Sequence, residues 1–273
     1  MNQNQNNSTC SVCHRDGLTI DEAARCCPQR HRVIQDESLL LQFIEWLPEL
    51  RPNERFYFCL QARKKYAPFL KSSDKTQLRR FVSDKERMLE KIRQLECSVG
   101  SYTTKEGVAI PDEAMALYIT LNPRDMRKAT FAAAQSLIGM IRKQDTQPDM
   151  DLNPHSEALT QIHKAKSRST FVHFDVDRPT GKDTDDNSPK CDLSTPAIYK
   201  RVVEVVGQEA VTIIETRGGV HVLIDPKLVV SETRNWHPIV CRTMECDQTG
   251  DLMVPVVGCN QGGFVPHFYE KIN

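Results

Sequence analysis

Val211-Thr-Ile-Ile-Glu-Thr-Arg217, Gly218-Gly219, Val220-His-Val-Leu-Ile224 reads as two β-strands around a diglycine turn. β-Branched and aliphatic residues fill both arms, and glycine pairs belong to tight hairpin turns. A hairpin implies antiparallel neighbours. With the helical patterns elsewhere in the chain, it predicts an α+β fold with a mixed or antiparallel sheet. A two-residue turn at Gly218-Gly219 pairs Arg217 with Val220 and Thr216 with His221. His221 then lies near the turn with Thr216 opposite on the same face. Glycines at such a turn let a ligand approach the backbone, and Arg217 and His221 beside it suit phosphate oxygens.

Upstream lies Phe171-Val172-His173-Phe174-Asp175-Val176-Asp177, a short strand pattern. Alternate residues of a strand share a face. Asp175 and Asp177 therefore project together, while Val172, Phe174 and Val176 pack on the other side. Two adjacent carboxylates are costly unless a cation neutralises them. Oxygen ligands of this kind suit Mg²⁺ or Mn²⁺, ions that commonly act on phosphates. Cys246-Asp247 and Asp251 follow the hairpin and offer a third carboxylate, as two-metal phosphoryl chemistry commonly requires.

Working outward, Leu39, Leu40, Phe43, Ile44 and Leu47 predict a helix starting at Asp36 or Ser38 and ending at Pro48. Phe56–Leu60 reads as a strand. Asp74 to Leu95 reads as one long helix, with Leu78, Phe81, Val82, Met88, Leu89 and Ile92 as its core positions. Ser98 to Asp112 is loop-like. Leu117–Leu121 is a strand running into Asn122-Pro123-Arg124, followed by a helix from about Asp125 to Lys143. Gln144 to His155 reads as a polar linker and Arg178 to Pro196 as a loop. Helices are expected at Ile198–Val206 and about Ser231–Arg242, and a strand at Leu252–Val257. The expected organisation is an N-terminal module at 1–35, a helix-rich part at 36–150 and a catalytic core at 151–273.

The chain has 273 residues with 36 basic and 36 acidic side chains, so bulk charge does not announce a nucleic-acid binder. Its distribution is uneven. From Arg51 to Lys105 basic residues dominate, including Arg63-Lys64-Lys65 and Arg79-Arg80, whereas Asp175 to Asp192 is acidic. Such asymmetry suits a cationic template surface beside an acidic metal site. No apolar run is long enough for a bilayer, and the polar N-terminus lacks a signal peptide's features. These features predict an intracellular protein, cytoplasmic or nucleoid-associated, with no membrane partner. Its ten cysteines are then free thiols or metal ligands rather than disulfides. Cys10, Cys13, Cys26 and His31 have the spacing of a small zinc module. Cys27 is an alternative to Cys26, and His14 competes with His31.

The Asp-x-Asp strand, the Gly219-Val220-His221 step and the hydrophobic-Asp step at Cys246-Asp247, in that order, resemble the archaeo-eukaryotic primase superfamily of primases and primase-polymerases. Asn122-Pro123-Arg124 after an earlier strand, and the tail Pro255–Phe264, also resemble segments of that family. The resemblance covers roughly residues 40 to 273. It implies a catalytic core of RNA-recognition-motif type and a metal-dependent nucleotidyltransferase that uses a DNA template and nucleoside triphosphates. Helicase or replication proteins would be its partners. Asp175, Asp177 and Asp247 would hold Mg²⁺ or Mn²⁺, with Asp251 or Glu245 as the alternative third acid. His221 would contact the incoming nucleotide's phosphates, helped by Arg217 and Gln261. The final loop departs from the family, carrying Cys259 and Gln261 where many members have basic residues. Two other functions fit the Asp-x-Asp strand. One is a catalytically silent nucleic-acid-binding protein on the same fold. The other is a phosphohydrolase with Asp175 as nucleophile, although Arg178-Pro179 follow where such enzymes expect Thr or Val.

Overall fold

The computed structural model describes residues 17, 29–71, 74, 76–144, 146–147, 152–178, 192–230, 235–244, 246 and 248–270. Among the described residues, ten strands form two five-stranded antiparallel sheets. The fold class is therefore α+β, as the hairpin predicted. Among the described residues no helix is long and apolar enough to cross a membrane, and Cys59, Cys97, Cys241 and Cys259 are not in disulfides.

The first sheet runs in the order β2 (Gln77–Ser83), β1 (Glu54–Ala62), β3 (Met115–Thr120), β9 (Met253–Pro255), with β4 (Arg124–Asp125) pairing to β1. Its centre is β1 (Glu54–Ala62) beside β3 (Met115–Thr120). Residues on one face of β1, Phe56, Phe58 and Leu60, bury against α1 (Glu37–Trp46) and α2 (Met88–Arg93). Tyr57 and Cys59 on the other face pack on α3 (Met126–Gln144) and α4 (Pro154–Lys164). The start of α1 follows from its sequence: the Asp36 carboxylate accepts the Leu39 backbone N–H at 3.0 Å, satisfying an otherwise orphan donor.

The long helix expected over Asp74–Leu95 does not form. Gln77–Ser83 is instead the edge strand β2, and only the six-residue α2 follows. Leu60 pairs with Arg79 and Gln61 with Gln77, so Leu78 is an extra residue in a β-bulge. The bulge lets Leu78 and Phe81, three apart, reach the same core. That is how a strand acquired helical spacing. Phe81 stacks on Phe58 across the strand pair, ring centroids 4.7 Å apart, and this pairing outweighs the local helical pattern. The helix α4 was not anticipated. Only Leu159 and Ile162 of its eleven residues are buried, which left little periodicity to read. Its start is nevertheless encoded by Asn153, which accepts the Ser156 N–H at 2.9 Å, with Pro154 at the first helical position.

The second sheet has the order β10-β6-β7-β5-β8. Its chain order is β5 (Val172–Asp177), α5 (Thr195–Val206), β6 (Val211–Glu215), β7 (Gly219–Ile224), α6 (Trp236–Thr243), β8 (Gln248–Gly250). This is a β-α-β-β-α-β unit. β7 lies between the parallel pair β5 and β6, and β5 lies between the parallel pair β7 and β8. Phe174, Val176, Val220, Val222 and Ile213 on one face close over Ile198, Val202 and Val240 of the two helices. The opposite face carries His173, Asp175 and Asp177, and it looks toward the first sheet. Ile214 and Leu223 on that side join the first sheet's core. The C-terminal segment ties the sheets together, since β9 (Met253–Pro255) joins β3 and β10 (His267–Phe268) joins β6.

The hairpin register differs from the sequence expectation. Glu215 pairs with Val220 and Ile214 with His221. Thr216 N–H donates to Gly219 O at 3.0 Å, so Arg217-Gly218 forms the turn and Gly219 belongs to the strand. Gly219 stands opposite Asp177, and a Cβ there would lie 2.0 Å from Val176 O. Its role is to let β5 approach, not to make the turn.

Candidate active site

Asp175 is the middle of three adjacent strands, with His221 of β7 on one side and Gln248 of β8 on the other. Asp177 is two residues further along the same face. These four side chains line a cavity of about 340 Å³. Its far wall comes from the first sheet: Arg63 and Lys65, just after β1, and Tyr118 of β3. Gln261 of the C-terminal loop closes one side.

His221 Nδ1 lies 2.8 Å from His173 Nε2 and 3.2 Å from Asp175 Oδ1. Both imidazoles are buried. Burial drives His173 down to about 4. Burial likewise holds His221 well below the ordinary imidazole value, with His173 and Lys65 pushing the same way. Both rings are therefore neutral at neutral pH. One proton lies between His173 Nε2 and His221 Nδ1, and the Asp175 carboxylate beside Nδ1, which can only accept, favours placing it on His221. The ring is held in place by these two neighbours.

Gly218 brings opposite charges together. A Cβ at this residue would meet Lys65 Nζ at 3.2 Å and Asp177 Oδ1 at 3.3 Å, so ammonium and carboxylate both crowd the bare Cα. Arg63 lies over the Tyr118 ring, 5.4 Å from its centroid. Sequence reasoning noted Arg63-Lys64-Lys65 only as part of a basic stretch. Its position at the end of a strand was the available signal for a site role.

Arg217, expected at the phosphates, is exposed and engaged elsewhere. Its guanidinium lies 4.2 Å over the Tyr66 ring, and Nη1 donates to Gly262 O. Its backbone N–H donates to Gln261 Oε1 at 2.9 Å. Arg217 and Gln261 thus brace the hairpin turn against the C-terminal loop, and only Gln261 also lines the cavity. Gly262 is required in that brace, because at φ +64° a Cβ would stand 2.3 Å from the Tyr66 ring.

The alternative third acid, Asp251, does not line the cavity. Its Oδ2 accepts from Arg124 Nη1 at 2.5 Å and its Oδ1 from Asn122 Nδ2 at 2.9 Å. Asn122 also accepts the backbone N–H groups of Thr170 and Phe171 at 2.7 and 3.0 Å. The Asn122-Pro123-Arg124 motif therefore clamps the entrance of β5 and the turn after β8, which fixes where Asp175 and Asp177 point. Asp247 and Glu245 lie outside the described residues, as do Cys10, Cys13, Cys26, Cys27 and His14.

Among the described residues no cluster of three or more His, Cys, Asp or Glu side chains has metal-binding geometry. Asp175 and Asp177 supply two carboxylates on one rigid strand. That donor set fits Mg²⁺ or Mn²⁺, since such ions are often held by one or two carboxylates, with waters and substrate phosphates completing the shell.

No family model, curated protein or solved structure matches this chain.

Proposed function

We propose that the chain is a metal-dependent nucleotidyltransferase of the primase or primase-polymerase type, joining nucleotides from NTPs or dNTPs on a DNA template. One observation carries this reading. Two carboxylates and a neutral histidine on adjacent strands of one sheet face two cations of the other across a polar cavity. The strand order β6-β7-β5-β8 in a β-α-β-β-α-β unit supports it, because RNA-recognition-type cores have that order.

In this mechanism Asp175 and Asp177 hold Mg²⁺ or Mn²⁺, with Asp247 as the third acid. Ions held there would supply charge neutralisation at the α-phosphate and activation of the attacking hydroxyl. Lys65 and Arg63 bind the triphosphate oxygens, replacing the basic residues missing from the C-terminal loop. His221 contacts the incoming nucleotide, and its contacts with His173 and Asp175 pre-orient it at no cost during reaction. The bare Cα of Gly218 leaves room for phosphate beside Lys65. Arg217 and Gln261 keep the turn in position.

The test is template-dependent incorporation of labelled nucleotide with Mn²⁺ or Mg²⁺, comparing the wild type with Asp175→Ala and His221→Ala. Incorporation abolished in Asp175→Ala is expected. Equal inertness of wild type and Asp175→Ala, with DNA binding retained by both, would make the chain a silent nucleic-acid-binding protein. A phosphoryl group trapped on Asp175 would make it a phosphohydrolase.

A further inference from the structure

Helix α3 (Met126–Gln144) is turned the wrong way round for a helix that only covers a sheet. Its buried residues are the small Ala129 and Ala133, on the side that packs toward Tyr57 and Cys59 of β1. Its large apolar side chains point outward: Phe131 is 67% exposed, Ile138 53% and Ile141 58%. A covering helix puts its bulky residues inward and its polar ones outward. With the exposed Ala134, the outward apolar residues run 131, 134, 138, 141. That alternation of three and four is the seam by which one helix receives another, and it spans about 15 Å at 1.5 Å per residue.

The charge around the seam is one-sided. The helix carries Arg127, Lys128, Arg142 and Lys143 and no Asp or Glu. All four are exposed, and among the described residues none of them forms an ion pair. Arg142 and Lys143 suit the negative end of the helix dipole, but Arg127 and Lys128 stand in the first turn, where the dipole disfavours cations. Folding gives no reason for them there. Lys128 and Arg142 are two heptads apart, so they flank the seam on the same side. Neighbouring carboxylates are already engaged. Asp125 accepts the Lys128 backbone N–H at 3.0 Å, and Glu157 of α4 accepts from Gln161 Nε2 at 2.7 Å.

We infer that the outer face of α3 is a docking site for an amphipathic helix of another protein, one with apolar residues along its seam and Asp or Glu on its flanks. Charge and geometry select this occupant. A second copy of α3 would bring the same four cations, and no carboxylate, against them. A helix lying in a membrane surface carries its cations along the polar face opposite the apolar one. In α3 that opposite face is packed on the sheet, and the cations stand at the two ends of the seam.

The test is fluorescence anisotropy of labelled synthetic peptides titrated with the full chain. The probe is a helical peptide of about three heptads with Leu along its seam and Glu beside it. Its control carries Lys in place of Glu. The Glu peptide is expected to bind, more tightly than the Lys peptide by roughly tenfold or more. Phe131→Gln and Ile138→Gln are each expected to weaken it roughly 10- to 100-fold, the worth of burying one large apolar side chain. The double variant Lys128→Glu/Arg142→Glu is expected to reverse the preference between the peptides, which an unfolded variant cannot do. Absence of binding by the Glu peptide, equal binding of the two peptides, or indifference to Phe131→Gln and Ile138→Gln overturns the inference. So does binding to vesicles of phosphatidylserine and phosphatidylcholine, or to oligo(dT), that Ile138→Gln abolishes, since the occupant is then a membrane or a nucleic acid. A dimer in sedimentation velocity that Ile138→Gln dissolves overturns it in favour of a second copy.

Discussion

Asp251→Asn separates a structural carboxylate from a catalytic one. Arg124 is 1% exposed, and Asp251 is its ion-pair partner among the described residues. Its Nε and Nη2 have no hydrogen-bond partner, so the guanidinium depends on that contact. Removing one partner of a buried pair leaves an uncompensated charge and costs about 3–5 kcal/mol. Asparagine keeps the shape and one acceptor oxygen, and Asp251 is partly solvated, which puts the expected loss near the lower figure. At about 1.4 kcal/mol per tenfold, about 3 kcal/mol is roughly a hundredfold in the folding equilibrium. Urea unfolding at neutral pH, followed by tryptophan fluorescence, measures it. The double variant Arg124→Met/Asp251→Asn should recover most of the loss, because it removes the stranded charge as well. A different outcome would refute the reasoning: Asp251→Asn within about 0.5 kcal/mol of wild type, a size typical of plain surface changes, but unable to bind Mn²⁺. Asp251 would then belong to the metal set, and its bond to Arg124 would be incidental.

Three further outcomes are expected. Gly219→Ala forces a methyl group to within 2.0 Å of Val176 O. Because the obstacle is backbone, β5 and β7 must part, with a loss of at least about 1–3 kcal/mol measurable in the same urea assay. Lys65→Ala removes a charge-assisted contact and should weaken nucleotide binding roughly 10- to 100-fold. Arg217→Ala should weaken it less, because that guanidinium lies on Tyr66, and titration calorimetry with nucleotide and Mn²⁺ compares the two. Acid should unfold the protein through its paired histidines. His173 is depressed by burial to about 4 from 6.5, so the unfolded chain binds the extra proton first. The stability from its neutral form is complete above about 6.5 and declines as pH falls toward 4, by on the order of 3 kcal/mol. His221 adds a loss of the same sign. A urea midpoint constant from pH 7 to pH 4.5 would contradict this.

The elements with a strong period were legible in the sequence. Both arms of the hairpin, the Asp-x-Asp strand, α1 and α3 follow from alternation, capping and helical spacing within a dozen residues. Asp175 and Asp177 were legible because strand alternation predicts which side chains share a face, His221 came from the hairpin pattern, and Gln261 came from the resemblance of the C-terminal loop. The failures have long-range causes. A bulge gave β2 the spacing of a helix, and only its partner β1 reveals the strand. Arg63 and Lys65 lie more than 100 residues from Asp175 in sequence, and a basic triplet carries no sign of what it will face. Asp251 looked like a spare acid because Arg124, which takes it, is a further 127 residues away.

The hairpin register decides what kind of site this is. Had Gly218-Gly219 formed the turn, Arg217 would pair with Val220 within the strands, on the hairpin that holds His221. Cross-strand partners share a face, so the guanidinium would then lie with Val220 under the helices, turned away from the carboxylates and at the cost of burying a charge. Gly219 is instead drawn into the sheet, since only glycine permits the approach of Val176 to the β7 backbone. Arg217 therefore falls in the turn, where Tyr66 and Gly262 engage it. Asp175 and Asp177 are left facing Arg63 and Lys65 across a cavity of about 340 Å³. Lys65 and Asp177 meet at the bare Gly218 Cα, and carboxylates and cations on opposite walls suit a metal ion and phosphate oxygens respectively. The reason for the proposed chemistry thus lies partly in a missing Cβ at residue 219.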